Sequence, residues 1–196
     1  MAKYFKTSEL DVMNQAREQI FAIRTSIYRQ FKIDILDTDA LSALSIYQIV
    51  SQYDPDYNVN FARNGEDAKS LGVLIENKAT RVAGPLTATG KPRKGAGTDA
   101  AFQFHAMGDL DHARYIFVAR NKEDLSVMRI YDISTKENRQ VVLDHLIGER
   151  NNWLSRSAGN QAKMKRDIIL LPEKTILEKL SFTSKTVIDN CQVFKD

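Results

Sequence analysis

Three side chains in the first half of the chain, Asp67, Glu76 and Lys78, have the types and spacing of a hydrolytic site. In an extended segment Val73–Ala79, side chains alternate sides, so Glu76 and Lys78 share one face while Val73, Ile75 and Asn77 share the other. If the chain turns at about Leu71-Gly72, Asp67 comes to lie across from Glu76. Opposed like charges are destabilising unless a cation sits between them, and hard carboxylate oxygens suit Mg²⁺, which keeps several of its waters. An ion so held polarises a phosphoryl oxygen and acidifies a bound water, while a lysine orients that water or stabilises charge developing on the phosphate. The chemistry expected is hydrolysis of a phosphodiester. Glu66 stands beside Asp67, and a one-residue change of hairpin register would exchange their roles. The triplet Glu76-Asn77-Lys78 taken alone also fits an exposed strand whose alternating charges keep one face wet.

The elements that must position these groups are legible to different degrees. A long amphipathic helix is expected from Ser8, with Asp11 in its first turn and Leu10, Met13, Ile20, Ile23, Ile27 and Phe31 at helical spacing. A shorter helix starts at Thr38 or Asp39 and carries Leu41, Leu44 and Tyr47, until Tyr53-Asp54-Pro55-Asp56 breaks the pattern. Tyr57, Val59 and Phe61 alternate with polar neighbours, and with the β-rich run Val73–Thr80 they read as a hairpin. Residues 81–97 hold four glycines and two prolines and are read as a mobile basic loop. Thr98 is expected to cap a short helix, Asp99–Met107, before two strands, Arg114–Arg120 and Val127–Ile133. Ser134 and Glu137 make a capping box for a helix through Val141, Val142 and Leu146. Asp167–Leu171 is a short apolar run stopped by Pro172, Glu173–Leu180 reads as helical, and the tail is left open. The order predicts an α/β fold with a mixed central sheet flanked by helices. It is read as one domain over 1–196, with 149–196 a C-terminal appendage.

Bulk properties narrow the classes of function. The net charge of +3 suits a polyanionic partner, and its distribution matters more than its total. No acid interrupts Asn77–Thr98, which holds Lys78, Arg81, Lys91, Arg93 and Lys94, nor Arg150–Arg166. No apolar run approaches the ~18 residues of a membrane span, and Met1–Ser8 lacks a signal-peptide core, so a soluble, cytoplasmic protein without a membrane partner is expected. Cys191 is the only cysteine, which removes internal disulfides and paired-cysteine zinc sites. His105, His112 and His145 share no metal-binding spacing and read as structural or surface residues.

The segment Asn64–Thr80 (NGEDAKSLGVLIENKAT) resembles the core hairpin of the PD-(D/E)XK nuclease superfamily, as found in type II restriction endonucleases. In that family a helix with an acidic residue leads to a strand bearing an aspartate, then a strand with Glu-x-Lys, then a helix and a further strand. The resemblance implies a restriction-endonuclease-like core and a Mg²⁺ cofactor. Asp67 then matches the first metal ligand, Glu76 the second, Lys78 the catalytic lysine and Glu18 an auxiliary acid. Gln103 matches a polar contact to metal-bound water or phosphate. No proline precedes Asp67, and Glu66 remains an alternative first ligand. DNA contacts are expected from Arg81, Lys91, Arg93 and Lys94 in the loop and from Arg150, Arg156, Lys163, Lys165 and Arg166 near Trp153, where forked donors and amides suit phosphates and base edges. The implied activity is sequence-specific cleavage of double-stranded DNA by a homodimer. A repair or recombination nuclease for mismatches or junctions, and a DNA-binding protein without catalysis, are the alternatives.

Overall fold

The computed structural model describes residues 7–34, 38–61, 67–81, 100–121, 126–157 and 168–196. The chain divides into two compact units, 1–44 and 45–196. The first unit contains helix α1 (Thr7–Phe31), which begins within one residue of Ser8, and the opening turns of α2 (Thr38–Val50). Arg24 forks onto the Asp34 carboxylate just beyond the end of α1, through Nε to Oδ1 at 2.8 Å and through Nη2 to Oδ2.

The second unit is α/β. Its sheet has seven strands in the order β1 (Asn58–Val59), β2 (Ala68–Ser70), β3 (Val73–Arg81), β5 (Arg114–Arg120), β6 (Val127–Ile133), β9 (Cys191–Lys195) and β8 (Ser184–Ile188). The sheet is mixed: β3 runs parallel to β5 and β6 parallel to β9, while the other neighbours are antiparallel. A separate two-stranded ribbon joins β4 (Ala101–His105) to β7 (Ile168–Pro172). Every residue of β5 is buried, as its continuous apolar run requires of a central strand covered on both faces.

Alternation along the strands divides the core. On one face Ile75, Ile116, Val118, Ile130 and Val193 pack with Ile46, Ile49 and Val50 of α2. These α2 residues are buried, whereas Leu41, Leu44 and Tyr47, which mark its apolar stripe in the sequence, are exposed. On the other face Tyr115, Phe117, Tyr131 and Ile133 pack with Phe102 and Phe104 of β4, Ile169 and Leu171 of β7, and Val142 and Leu146 of helix α3 (Lys136–Ser157).

Three expectations are corrected. Residues 101–105 form a strand, not part of a helix: Phe102 and Phe104 are buried while Gln103 and His105 are exposed, a period of two that pairing with β7 fixes. The helical reading of Glu173–Leu180 gives way to turns and one short 3-10 segment, Leu177–Lys179, with the Glu173 carboxylate turned inward to Arg129 (2.6 Å) and Tyr131 (2.9 Å). The cap of α3 lies one residue later than Ser134, at Thr135, whose Oγ1 faces the Asn138 N–H at 3.5 Å. Asp196 completes this helix start by accepting from the backbone N–H groups of Ser134 and Thr135 and from the Asn138 amide. Residues 168–196 supply β7, β8 and β9, so this part of the chain contributes strands to both sheets. No helix among the described residues is long and apolar enough to cross a membrane.

The β2–β3 hairpin closes on Leu71 (φ 48°) and Gly72 (φ 82°), the two-residue turn with both central residues left-handed. Leucine is costly in that region, and this one is 82% exposed, so its side chain gives little in return. Leu71→Asn should raise stability in urea unfolding by about 0.5–1 kcal/mol. On the α2 face, Arg114 is bound between Asp132 (2.6 and 2.7 Å) and Asp54 (2.6 Å). Arg114→Ala leaves the nearly fully buried Asp132 without its counter-ion and should cost about 3–5 kcal/mol in the same measurement.

Candidate active site

β3 carries Glu76 and Lys78 toward the β4 side of the sheet, opposite in sense to the buried Ile75. Parallel pairing sets Glu76 abreast of Tyr115 and Lys78 abreast of Phe117. The Tyr115 and Phe117 rings stack at 5.5 Å, and Phe104 meets both edge-on at 6.5 and 6.2 Å. These rings form an apolar floor, over which Lys78 pairs with Glu76 and places its ammonium 5.3 Å from the Phe104 centroid. The two side chains are 27% and 14% exposed, so the pair is reachable from solvent yet largely out of bulk water.

Asp67 leads into β2. The last hairpin pair is Ala68 with Ile75, and one step further the same register puts Asp67 abreast of Glu76. Two contacts hold it there. Its carbonyl accepts from the Asn60 N–H (2.9 Å), and its Oδ2 accepts from the Asn77 N–H (2.9 Å). Asn77 in turn donates its side-chain amide to the Tyr57 hydroxyl at 2.7 Å on the opposite face. Burial raises the Asp67 carboxyl above the ordinary carboxylate range, and the negative charge of Glu76 raises it further. The Asn77 N–H and the charges of Lys78 and His112 act the other way without cancelling it.

Asp67, Glu76 and Lys78 are thus brought together, with two carboxylates from adjoining strands competing for the same small volume. Magnesium fits such a pair, because it takes few protein ligands and retains water. Among the described residues no three His, Cys, Asp or Glu side chains gather as a larger metal-ligand group. Glu18 is exposed on α1 in the first unit. Gln103 is exposed on β4, opposite in sense to Phe102 and Phe104 and paired in register with Leu170, so it does not share the face that meets Lys78. Arg150 and Arg156 lie on α3, with Arg150 half-buried and its Nη1 3.5 Å from the Gly108 carbonyl. Arg81 ends β3 abreast of Arg120. Glu66, Lys91, Arg93, Lys94, Lys163, Lys165 and Arg166 lie outside the described residues, as does the side chain of Arg81.

Sequence reasoning missed Asn77, which locks Asp67 in register, and the turn before β5. In that turn the Tyr115 hydroxyl donates to the Leu110 carbonyl and accepts from the His112 N–H (3.1 Å). The sequence signal was present in principle, since Tyr115 precedes Phe117 in a central strand. It acquires meaning only when β5 is known to lie against β3.

No protein-family model matches the chain, and no curated protein is significantly similar to it in sequence.

A raised carboxyl has a defined sign in stability. The stabilising contribution tied to its protonated form is present below the ordinary carboxylate range and is lost as pH rises through the raised value. At neutral pH the charged Asp67 therefore opposes folding of the metal-free protein. Asp67→Asn, which keeps an acceptor for the Asn77 N–H, should raise the metal-free melting temperature by a few degrees at neutral pH. The gain should shrink once pH falls below the ordinary carboxylate range, and Mg²⁺ should stabilise the wild type more than the variant.

Proposed function

We propose that the chain is a magnesium-dependent endonuclease that hydrolyses phosphodiester bonds of double-stranded DNA in a sequence-specific manner, as a type II restriction enzyme of the PD-(D/E)XK kind. The observation that carries this reading is the meeting of Asp67, Glu76 and Lys78 on an apolar floor, with the two carboxylates abreast and the ammonium beside one of them. The order of the hairpin β2–β3 followed by a parallel β5 agrees with a restriction-endonuclease-like core. Where the resemblance calls for a helix between those strands, residues 101–105 form β4 instead.

Asp67 and Glu76 would hold Mg²⁺, which when bound supplies Lewis acidity toward a phosphoryl oxygen. The protein's own groups do the rest. Asn77 and the hairpin register keep the Asp67 carboxylate facing Glu76. Phe104, Tyr115 and Phe117 lower the local dielectric, so that each charge acts more strongly than it would in water. Lys78 presents an ammonium where negative charge develops as a water oxygen bonds to phosphorus and the ester oxygen departs. Basic groups at Arg81, Lys91, Arg93, Lys94, Arg150, Arg156, Lys163, Lys165 and Arg166 would meet the duplex backbone and base edges. Cutting both strands of a near-palindromic site calls for a homodimer, one such site on each strand, working in the cytoplasm.

The test is incubation of the purified protein with long unmethylated duplex DNA in Mg²⁺, alongside EDTA and Glu76→Ala, with products sized on a gel. Discrete fragments that vanish with EDTA, and a rate reduced about a thousandfold in the variant, are the expected result. Retarded but intact DNA under every condition would leave a binding protein without catalysis. Cleavage restricted to mismatched or branched duplexes would mark a repair or recombination nuclease.

A further inference from the structure

We propose that α1 is a self-association surface: the apolar half of this helix in one copy of the chain packs antiparallel against the same half in a second copy. The surface belongs to the first unit and is independent of the phosphodiesterase reading, which calls for a homodimer without saying where two copies meet.

A helix that lies on a protein buries its apolar stripe, as α2 does through Ile46, Ile49 and Val50 and α3 through Val142 and Leu146. α1 does not. From Ser8 to Phe31 every residue is exposed except Arg24 and Ile27, which are half-buried. Eight large apolar side chains along it, from Leu10 to Phe31, are 46–66% exposed. At about 100° per residue all eight fall on one half of the circumference, while Asp11, Asn14, Glu18, Thr25 and Arg29 fall on the other. The sequence thus builds an apolar face along the whole helix, and without a cover its 25 residues would be held by helix propensity alone, which is marginal in water.

Size decides what kind of cover fits. At roughly 100 Å² of exposed surface each, the eight side chains offer about 800 Å², the amount one partner contributes to a stable protein–protein interface. That is more than the largest apolar patch a typical monomer leaves in water. A second copy brings a face of the same extent and chemistry, and a two-fold axis near Ile20, midway along α1, sets the two faces on each other over their full length. Charge sets the direction. Before Ile20 the helix holds Glu9, Asp11 and Glu18 against Arg17. After it come Arg24, Arg29 and then Lys32, with no acid before Asp34, the partner of Arg24. Two copies running in the same sense would align like charge with like. Reversed, the acidic half of each lies along the basic half of the other and the helix dipoles oppose.

The test is sedimentation equilibrium of the full chain over a concentration series. The wild type should show a monomer–dimer equilibrium with a dissociation constant below about 10 µM. Ile20→Gln combined with Ile23→Gln keeps good helix formers and the net charge but breaks the middle of the apolar half, and should weaken dimerisation about a hundredfold. Ala22→Gln combined with Thr25→Gln, on the polar half, should leave it within about threefold. Orientation is read from single cysteines in a Cys191→Ser background under mild oxidation. Ile20→Cys should form an intermolecular disulfide, whereas Phe31→Cys should not, because in an antiparallel pair the two copies of that position lie roughly 30 Å apart. Equal crosslinking at both positions makes the helices parallel and overturns the arrangement. A wild type that stays monomeric at about 100 µM overturns the interface altogether. A dimer untouched by the Ile20 and Ile23 pair, or weakened equally by both pairs, does the same. None of these readouts uses DNA, so a dimer that behaves as expected but cuts nothing upholds this surface while the nuclease reading falls.

Discussion

Arg114 is the point through which the second unit is tied together. Its guanidinium forks onto Asp132 of β6 and reaches Asp54 just beyond α2, and burial leaves these charges little solvent to fall back on. Each carboxylate has a further partner: Asp132 accepts from the Tyr53 hydroxyl at 3.0 Å, and Asp54 from the Ser70 hydroxyl at 2.8 Å. The bidentate geometry and the added hydrogen bonds are what allow three ionic groups to leave water together. The end of α2, the head of β5, the end of β6 and the end of β2 are thereby fixed to one another. Ser70 stands three residues from Asp67, so the network that holds the core also fixes where the hairpin begins.

The two faces of the sheet use the same residue types to opposite ends. On the α2 face burial works to raise the Asp54 carboxyl, but hydrogen bonds from Arg114 and Ser70 and the charges of Arg114 and Lys195 hold it below the usual range. On the β4 face burial raises Asp67, and its nearest charged neighbour across the hairpin is another carboxylate. The first arrangement contributes stability above the unfolded pKa that is lost as pH falls. The second opposes folding at neutral pH unless a cation arrives. A carboxylate satisfied by an arginine has an evident structural purpose. A carboxylate held by a backbone N–H of β3 abreast of another carboxylate does not.

What was legible in the sequence followed from local rules. Alternation along Val73–Ala79 placed Glu76 and Lys78 together, and Leu71-Gly72 located the turn that sets Asp67 abreast of Glu76. The helices starting near Ser8 and Thr38 were readable from caps and spacing. What escaped depends on pairing across distance. Residues 101–105 read as helix because their alternation is short, and only β7, more than sixty positions later, gives β4 a partner. β8 and β9 turn on Asp189 (φ 48°) and Asn190 (φ 63°), the same two-residue turn geometry as Leu71-Gly72, yet their place in the sheet comes from β6. His112 was unremarkable as one of three scattered histidines. It becomes a neighbour of the site only because β5 lies parallel to β3, and no local pattern encodes that adjacency.

The site's own energetics bear on the choice between a surface ion cluster and a working centre. A pair that water still reaches, such as the half-exposed Arg24–Asp34, is worth little, because solvent already serves both charges. Glu76 and Lys78 are withdrawn from water onto aromatic rings, where an ion pair recovers its desolvation cost only with good partners. One lysine then stands against two carboxylates, and the excess negative charge remains with Asp67. Stability alone would favour an amide or a hydrophobic residue at position 67, which the hairpin would accommodate while keeping its turn and register. Retaining the aspartate is intelligible if the missing positive charge is supplied by a bound ion and the strain is relieved only when the site is loaded.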